Sequence, residues 1–540
     1  MAFSGSVRST YDYIIVGAGP AGCAAAARLS LLPGCRVLLI EAGGSDRHPL
    51  LSVPVATMLT MRHPRYTWRF RTEPEAALEG RSPSWYGGRL LGGGSAINGM
   101  MYLRGHPRDY DRWRDTAGCA GWGFADMLPF FQRAESSDRG PDAWHGGTGP
   151  VAITRGTADF PIASAFLDMI AAAGLPIVDD LNADAAEGFG YYDRAIGGGR
   201  RSSAGGAYLR GLADRRALTV LTGARAVGLS GGGARIDGVR FVYRGKLHEA
   251  RADAEVVLAA GCINTAQLLL LAGIGPADAL SRHGIAVRAN SPDVGLNVQN
   301  HIAYTLQYAL AAPITAYEYR HPARAAAAFA QYALQRRGML AGLLCPAGGL
   351  FRADPLSEIA DTQVILGAGL PGAGSGWRGL LPTARGFTLM INQGRPWSRG
   401  SIALRSADPE APPLIRSGHF SDHRDLELLT IATTAMRALL RNHRIAGEIA
   451  TEIGAGAQII GHAALAEHIR QHAQSYYHMA GSCRMGSDDD AVVDTALRVR
   501  GVDGLRIADT SVAPLLVNGN TTAMALMLGE RAAELIASGA

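Results

Sequence analysis

Apolar residues near the start of the chain fall in short runs whose spacing predicts alternating strands and a helix. Residues 13–16 form an apolar run typical of a buried parallel strand, and a glycine-rich turn at 17–22 follows it. The alanine-rich stretch 23–29 predicts a helix, and the apolar run 36–40 predicts a second strand that Glu41 ends. Strand, glycine turn, helix and strand in this order predict a Rossmann-like unit.

The glycine turn has the spacing of a dinucleotide site. Gly17 permits the tight turn, Gly19 lets the backbone approach a pyrophosphate, and Gly22 lets the helix pack closely on the strand. The start of the helix then presents free N–H groups to the anion. Glu41 stands 19 residues after Gly22, where an acid can accept hydrogen bonds from a ribose diol. This turn alone fits NAD as well as FAD.

Later patterns support a mixed chain of strands and helices. Residues 255–260 predict a strand, and 396–404 predict a turn followed by a strand suited to the back wall of a pocket. Residues 241–246 resemble an arm of a β-hairpin. The apolar run 323–330 predicts a helix that either lines the pocket or simply packs.

Composition and charge exclude several classes of function. A length of 540 residues predicts two or three structural units, and 69 glycines suit the close backbone approaches of a nucleotide-binding protein. The net charge is only +5 and the basic residues are scattered, so we expect no nucleic-acid partner. Lys246 is the only lysine and lies in the hairpin pattern, which argues against Schiff-base and P-loop chemistry.

The sequence shows no pattern of a signal peptide, a membrane span or a cysteine metal site, and this favours a cytoplasmic protein without a metal. No apolar stretch is long enough to span a membrane, and residues 1–8 lack the apolar region of a signal peptide. The six cysteines show neither zinc-site nor CxxC spacing. We therefore expect no metal site, and inert cysteines in a reducing compartment.

Further segments along the chain carry a more specific pattern. They resemble, in order, the signature sequences of the glucose–methanol–choline (GMC) oxidoreductases, and the resemblance covers nearly the whole chain. The segments are 88–105, 261–276, 476–486, 504–514 and 518–524. The first is a second glycine-rich loop, which a long FAD needs and an NAD site does not.

The resemblance is not perfect. Cys262, Ala266 and Ala272 stand where the family pattern usually has other small residues, although the spacing is intact. The segment 294–301 also resembles a family landmark, with Asn300 in a place where an acid is common. These departures are mild and leave the assignment unchanged.

The resemblance implies a fold class and a division into domains. The expected class is α/β, or α+β for the whole chain, with a Rossmann-like FAD-binding domain and a substrate-binding domain built on an antiparallel sheet. Both domains are discontinuous in sequence. We expect 8–150, 200–304 and 476–540 to bind FAD, and 151–199 and 305–475 to bind the substrate.

The family pattern also implies which residues hold FAD. Each is assigned to the part of the cofactor that the matching family position contacts. The expected contacts are the backbone of Val227 at adenine, Glu41 at the adenosine ribose, Gly17, Gly19 and Gly22 at the pyrophosphate, Asp509 at the ribityl and phosphate region, Gly93, Asn98 and Gly99 near the flavin, and Thr521 at its pyrimidine ring. Ile97 occupies the place where some relatives carry a histidine bonded to FAD, so we expect noncovalent FAD.

The same resemblance assigns the chemistry to two residues. A histidine suits a base that removes the hydroxyl proton while a hydride passes to flavin N5, and His478 stands in the catalytic position. Asn520 occupies the second position, where its amide can donate to the developing alkoxide. We expect Tyr477 to wall the pocket, and Tyr476 either to do the same or to pack in the core.

The expected reaction is oxidation of a primary alcohol, aliphatic or aryl-type, to the aldehyde. The partners are the alcohol and an electron acceptor, which is oxygen or another molecule, and the sequence leaves the oligomeric state open. Two relatives on the same scaffold are the alternatives: an FAD-containing hydroxynitrile lyase and the light-driven fatty-acid decarboxylase. The histidine at 478 argues against the decarboxylase.

Overall fold

Two seven-stranded sheets organise the part of the chain that the computed structural model describes, residues 8–184, 187–212, 216–371 and 382–540. Five two-stranded sheets accompany them in these residues. The strands are β1 Thr10–Val16, β2 Val37–Glu41, β3 Thr67–Arg71, β4 Ser84–Gly88, β5 Glu135–Ser137, β6 Val151–Ile153, β7 Gly188–Tyr191, β8 Ile196–Gly197, β9 Arg200–Arg201, β10 Leu218–Thr222, β11 Ala224–Ser230, β12 Gly238–Tyr243, β13 Lys246–Leu258, β14 Ile274–Gly275, β15 Ala289–Asn290, β16 Ile302–Ala309, β17 Ala347–Phe351, β18 Thr362–Gly367, β19 Gly386–Gln393, β20 Ser401–Ala403, β21 Leu414–Arg416, β22 Thr451–Ile453, β23 Gln474–Ser475 and β24 Leu505–Ile507.

Helices cover these sheets. The α-helices are α1 Pro20–Leu29, α2 Pro49–Ser52, α3 Thr57–Thr60, α4 Pro107–Asp115, α5 Phe124–Ala134, α6 Pro161–Ala172, α7 Gly261–Leu271, α8 Ala277–Arg282, α9 Pro322–Gln335, α10 His423–Asn442, α11 His462–His472 and α12 Thr521–Ala537. Among the described residues, no helix combines the length and the hydropathy that crossing a bilayer requires.

The first sheet has the predicted Rossmann-like core. Its strand order is β10-β2-β1-β13-β12-β11, and β24 pairs with β13 beside it. The pairs among β10, β2, β1, β13 and β24 are parallel, whereas β12 and β11 are antiparallel additions. Every residue of β2 is buried, as expected for a strand with helices on both faces of its sheet. The parallel strands therefore end together at one edge, where a nucleotide binds in such sheets.

The second sheet is antiparallel, with the order β22-β16-β19-β18-β17-β7 and β23 alongside β16. Residues of β16 alternate between its two faces. Tyr304 and Leu306 pack in a hydrophobic core with α6, α10 and α11, while Ala303 and Thr305 face a large cavity. The sheet therefore separates a core from the space in front of the first sheet.

The expected α/β class, with a Rossmann-like sheet and a second antiparallel one, is confirmed. The domain boundaries stay a prediction. The strands of the antiparallel sheet come from 188–191 and 302–475, which fall in the two segments predicted for the substrate, apart from the first three residues of β16.

Three local predictions have mixed outcomes. The hairpin arm is β12, which pairs with β13. The helix at 323–330 forms as α9 and packs through Ala328, and none of these residues lines the large cavity. The strand after the turn at 396–400 forms as β20, but the prediction of a back wall was wrong, because β20 pairs only with β21 in a separate two-stranded sheet.

Helix α12 crosses α1 at very short range. A Cβ atom on Gly529 would clash with the backbone oxygen of Ala21 in α1. The next residue, Glu530, is fully buried and accepts hydrogen bonds from Arg28 and Arg133, each at 2.8 Å, and from the Tyr208 hydroxyl at 2.7 Å. The C-terminal helix is thus fixed to the helix that begins at the glycine turn.

We predict that Gly529→Ala destabilises the protein. In an unhindered helix this change gains about 1 kcal/mol, but forcing the two helices apart costs about 1–3 kcal/mol, so the free energy of unfolding should fall. Urea titration monitored by circular dichroism measures the change. The control is Glu534→Ala on the exposed side of α12, which should shift it by less than about 1 kcal/mol. A stabilised Gly529→Ala protein would show that the helices do not cross this closely.

Candidate active site

A cavity of about 660 Å³ runs from the carboxyl ends of the parallel strands to the antiparallel sheet. Val16 and Glu41, at the ends of β1 and β2, line one end of it. Thr305 of β16 and Met390 of β19, which lie opposite each other in the antiparallel register, line the other. The two sheets therefore enclose one elongated space, long enough to be considered for a dinucleotide.

The predicted glycine turn forms the floor of the first end. Gly17 has a φ of +104°, and a Cβ atom on it would clash with the backbone of Ala259. A Cβ atom on Gly22 would clash with the oxygen of Gly17, so Gly22 serves the close packing of α1 and does not line the cavity. Gly19 lines the cavity directly and stands at the N-terminus of α1, whose first N–H groups are free to bind an anion.

Glu41 is held where the ribose is predicted. Its two carboxylate oxygens accept hydrogen bonds from Ala18 N at 2.9 Å and Gly43 N at 2.7 Å. Burial raises the pKa of Glu41 to about 7, against the opposing effect of these two backbone donors. The carboxyl group lines the cavity and is positioned to exchange hydrogen bonds with a diol.

The second glycine-rich loop lies directly against the first. Gly93 has a φ of +51°, and a Cβ atom on it would come within 2.7 Å of the Gly19 Cα. Gly94 and Gly99 also line the cavity, and a Cβ atom on either would meet no protein atom within 4 Å. This bare backbone fits a flat ring system that approaches closely, as FAD would.

Asn98 is held rigidly beside this loop. Its amide donates to the Thr522 hydroxyl at 3.0 Å, and its oxygen accepts from Arg201 Nη1 at 2.7 Å. Arg201 also donates to the Thr57 hydroxyl at 2.6 Å, and the oxygen atoms that accept from its guanidinium group are uncharged. Burial lowers the pKa of Arg201 to about 9. Arg201 therefore fixes the second glycine loop, although burying its positive charge away from water is unfavourable.

The segment that the resemblance assigns to adenine lies beside the cavity on β11. Ala224, Arg225 and Ala226 of β11 line the cavity, whereas Val227 is not among its lining residues. The pairing of β11 with β12 is irregular between Ala226 and Gly228, which places Val227 at the bulge. A bulge turns successive side chains and is not visible in the sequence pattern.

Asp509 and Thr521 both line the cavity. The Asp509 carboxylate accepts from Gly261 N at 2.8 Å and from the Thr265 hydroxyl at 2.6 Å. It therefore ties the start of α7 to the segment after β24. Thr521 is the first residue of α12, so the positive end of a 17-residue helix dipole points into the cavity.

His478 and Asn520 meet at the boundary between the two ends. The Nε2 of His478 lies 3.3 Å from the Asn520 amide nitrogen, and both residues line the cavity. Gln363 of β18 donates to the Asn520 oxygen at 3.3 Å. Because that oxygen already accepts, the amide N–H₂ of Asn520 is the group turned towards His478.

His301 determines which nitrogen of His478 carries a proton. His301 Nε2 lies 2.9 Å from the carbonyl oxygen of Gly394, which can only accept, so this nitrogen carries hydrogen. In the neutral ring His301 Nδ1 is then an acceptor. It lies 2.8 Å from His478 Nδ1, which must donate. The remaining nitrogen, His478 Nε2, keeps its lone pair and faces Asn520.

Both rings are neutral near pH 7. Burial lowers the pKa of His478 well below its ordinary value of 6.5, and the charge that His301 would carry lowers it further. Burial also lowers the pKa of His301 to about 4. The arrangement leaves an unprotonated ring nitrogen in a polar corner of the cavity, which can accept a proton from a bound molecule.

The backbone around His478 is fixed by its neighbours. His478 N donates to the Asn300 side-chain oxygen at 2.8 Å, and the Asn300 amide donates to the Ser475 hydroxyl at 2.7 Å. Tyr477 has a φ of +65°, an unfavourable conformation for a bulky residue. Its ring lines the cavity, as predicted, and meets the Tyr86 ring edge-on at 5.5 Å.

A second buried polar cluster lies outside the cavity. His145, Asp180 and Asp193 bring one donor atom each within 4.8 Å of one another. However, Arg139 pairs with Asp193 at 3.2 Å, and both ring nitrogens of His145 are bonded to carboxylates, of Asp180 at 2.7 Å and of Glu135 at 2.9 Å. Because the histidine and Asp193 already have these partners, the cluster is a buried network of ion pairs and gives no support to a metal centre.

The sequence identified the pair at the centre but not the residues that orient it. His301 and Asn300 fall in the family landmark at 294–301, so a signal existed, although no role was assigned to either. Gln363, Gly394 and Arg201 carry no sequence pattern that could have placed them here.

Comparison with known proteins agrees with this geometry. Two family models match, both described as GMC oxidoreductase, one over residues 11–303 and the other over 396–529. The chain is 37% identical over 528 residues to an oxygen-dependent choline dehydrogenase of Rhizobium johnstonii, covering 97% of this chain and 95% of the relative.

Solved structures share the fold over the whole chain. A pyridoxine 4-oxidase from Mesorbium loti has a TM-score of 0.85 at 31% identity and covers 97% of this chain and 98% of its own. An FAD-dependent oxidoreductase from Chaetomium thermophilum has a TM-score of 0.89 at 25% identity, covering 98% and 99%. The chain therefore belongs to the GMC oxidoreductases, FAD-dependent enzymes that oxidise alcohols.

Proposed function

We propose that this enzyme oxidises a primary alcohol to the aldehyde, with His478 Nε2 as the base. The observation that carries the proposal is the hydrogen-bond chain from Gly394 through His301 to His478. It leaves the lone pair of Nε2 on the cavity side, 3.3 Å from the Asn520 amide nitrogen. A hydroxyl group at this corner can donate to His478 and accept from Asn520 at the same time.

The protein's own groups then move the proton and stabilise the charge. Bound FAD supplies the hydride acceptor, held noncovalently by the glycine loops, Glu41, Asp509 and the N-terminus of α12. His478 Nε2 takes the hydroxyl proton, and the Asn520 amide donates to the oxygen as negative charge develops on it. The Nδ1 of His301 accepts the Nδ1–H of His478 throughout, so this hydrogen bond stabilises the imidazolium that forms on His478.

An apolar alcohol fits the substrate end best. The relative from Rhizobium johnstonii bears the name of choline dehydrogenase, and choline is a quaternary ammonium alcohol. The carboxylates that line the cavity of this chain, within its described residues, are Glu41, Glu410 and Asp509, and all three lie at the cofactor end. A buried quaternary ammonium group would therefore lack a counter-charge. We infer an aliphatic or aryl-type primary alcohol, with oxygen or another molecule as the electron acceptor.

We also place the enzyme in the cytoplasm. All six cysteines are unpaired, and five of them are buried. Unpaired thiols are typical of a reducing compartment.

The first prediction tests the substrate group. Anaerobic addition of a neutral primary alcohol to the yellow protein should bleach the flavin absorbance, whereas choline at the same concentration should react far more slowly. Readmitting air would then show whether oxygen restores the colour. Cleavage of a cyanohydrin without bleaching by any alcohol would contradict alcohol oxidation and favour the lyase.

The second prediction tests the role of His301. His301→Ala removes the acceptor of the His478 Nδ1 proton. The proton of His478 is then no longer confined to Nδ1, and Nε2 is no longer held unprotonated. We expect flavin reduction by alcohol to slow by on the order of 10²–10⁴-fold, the range seen when a catalytic histidine loses its orienting partner, while FAD stays bound. Stopped-flow absorbance measures the rate.

Two control variants distinguish the loss of the His301 hydrogen bond from a folding defect. His301→Gln keeps a side-chain acceptor and should recover part of the rate, and His472→Ala, at an exposed position, should leave it unchanged. The wild-type rate should rise with pH only below 6.5 and then stay flat, because the base must be unprotonated and its pKa is lowered. Wild-type rates in His301→Ala would refute the proton chain.

The third prediction concerns the link to FAD. Ile97 is buried and lines the cavity, and its hydrocarbon side chain cannot form a bond to the flavin. Acid or heat precipitation should therefore release all the flavin into the supernatant, measured by fluorescence. A yellow pellet would contradict noncovalent binding, and Ile97→Ala serves as a control that should release flavin equally.

A further inference from the structure

The substrate end of the cavity is an apolar chamber. Methionine side chains from several separate segments line it, together with Leu344, and Thr305 supplies a small polar group. Methionine adapts to varied apolar shapes, so the chamber suits a hydrocarbon body. The methionines are Met58, Met61, Met100, Met101 and Met390.

Among the described residues, the carboxylates that line the cavity lie at one end of it, and two arginines without carboxylate partners lie at the other. At the cofactor end, Asp509 accepts hydrogen bonds from backbone and hydroxyl donors, and Glu410 forms an ion pair with Arg225 at 2.7 Å. At the opposite end the lining includes two further arginines, Arg62 and Arg69. Within the described residues neither is paired with a carboxylate in an ion pair that the structure shows.

Both arginines flank Tyr86. The guanidinium carbon of Arg62 lies 6.0 Å from the centroid of the Tyr86 ring. Arg69 of β3 is the cross-strand partner of Tyr86 in β4, so the two side chains lie on the same face of this two-stranded sheet. The Tyr86 ring in turn contacts Tyr477, the residue before the proposed base. Arg62 and Arg69 are exposed, which places them at the mouth of the chamber.

We propose that Arg62 and Arg69 form a carboxylate-binding mouth, so that the substrate is a hydroxy acid. Its CH₂OH group lies at His478 and Asn520, its apolar body lies along the methionines, and its carboxylate remains at the mouth. Arginine suits this role because its planar fork binds a carboxylate through two parallel hydrogen bonds. The inference rests on the proposed alcohol oxidation and adds the charge of the substrate.

The same mouth predicts that a cationic alcohol is a poor substrate. The open faces of Tyr86 and Tyr477 are the groups that could bind a quaternary ammonium. Arg62 already occupies the neighbourhood of both, since it also opposes the rise in the Tyr477 pKa that burial causes. Two like charges at the entrance would repel such a substrate.

The experiment compares matched substrates on the FAD-loaded enzyme. An ω-hydroxy fatty acid and its methyl ester present the same hydroxyl and the same chain, with and without the charge. For the wild type we expect kcat/KM for the acid to exceed that for the ester by about tenfold, because the contact is charge-assisted but lies at an exposed, partly screened position. Added salt should reduce this ratio.

Variants assign the effect to the mouth. The double variant Arg62→Gln, Arg69→Gln should raise KM for the acid by about tenfold with little change in kcat, and leave the ester unchanged, because the contact is the same in ground and transition states. Arg62→Glu should lower kcat/KM for the acid further than the double variant does. Arg65→Gln, an exposed neighbour that does not line the cavity, is the control and should change neither.

Three results would overturn the proposal. They are equal kcat/KM for acid and ester in the wild type, an equal loss for both substrates in the double variant, and loss of FAD from it, which would assign the arginines to the cofactor. If no alcohol bleaches the flavin, alcohol oxidation fails separately. In that case titration with a nonreactive fatty acid, followed by the flavin spectrum, still tests whether the double variant binds a carboxylate about tenfold more weakly.

Discussion

The hydrogen bond between two like nitrogens, Nδ1 of His301 and Nδ1 of His478, fixes the positions of the protons at the centre of the cavity. Such a bond forms only if one ring donates and the other accepts, so every proton position follows from the carbonyl of Gly394. The antiparallel sheet supplies this geometry. His301 precedes β16, Gly394 follows β19, and His478 lies three residues after β23, and β16 pairs with both other strands. The three groups therefore meet at one end of a single sheet.

The amide partner of the base comes from the other core. Asn520 stands at the N-terminus of α12, whose body packs on α1 beside the parallel sheet. One sheet thus holds His478, the proposed base, and the other holds Asn520 and the glycine loops. The relative position of the two sheets sets the 3.3 Å contact between His478 and Asn520.

The sequence predicted what depends on local patterns and missed what depends on strand register. Gly17 and Gly93 occupy conformations that favour glycine, so the glycine spacing by itself indicates the shape of the backbone. Gln363 and Gly394 act through a side-chain amide and a carbonyl, which many residues in many contexts offer. Only the pairing of β18 and β19 brings them to Asn520 and His301. Val227 was assigned from the family position alone, and the irregular pairing between Ala226 and Gly228 at this place has no counterpart in the sequence pattern.

The close crossing of α1 and α12 has a consequence for how the protein is made. The glycine turn and α1 leave the ribosome long before β24 and α12, which belong to the same core and end at Ile507 and Ala537. Until synthesis has passed those positions, the apolar surfaces of β1 and α1 have no complete partner, and the pyrophosphate loop rests on an unfinished sheet. We therefore expect the nascent chain to be most prone to aggregation until α12 has emerged, and the cofactor to bind only after that step.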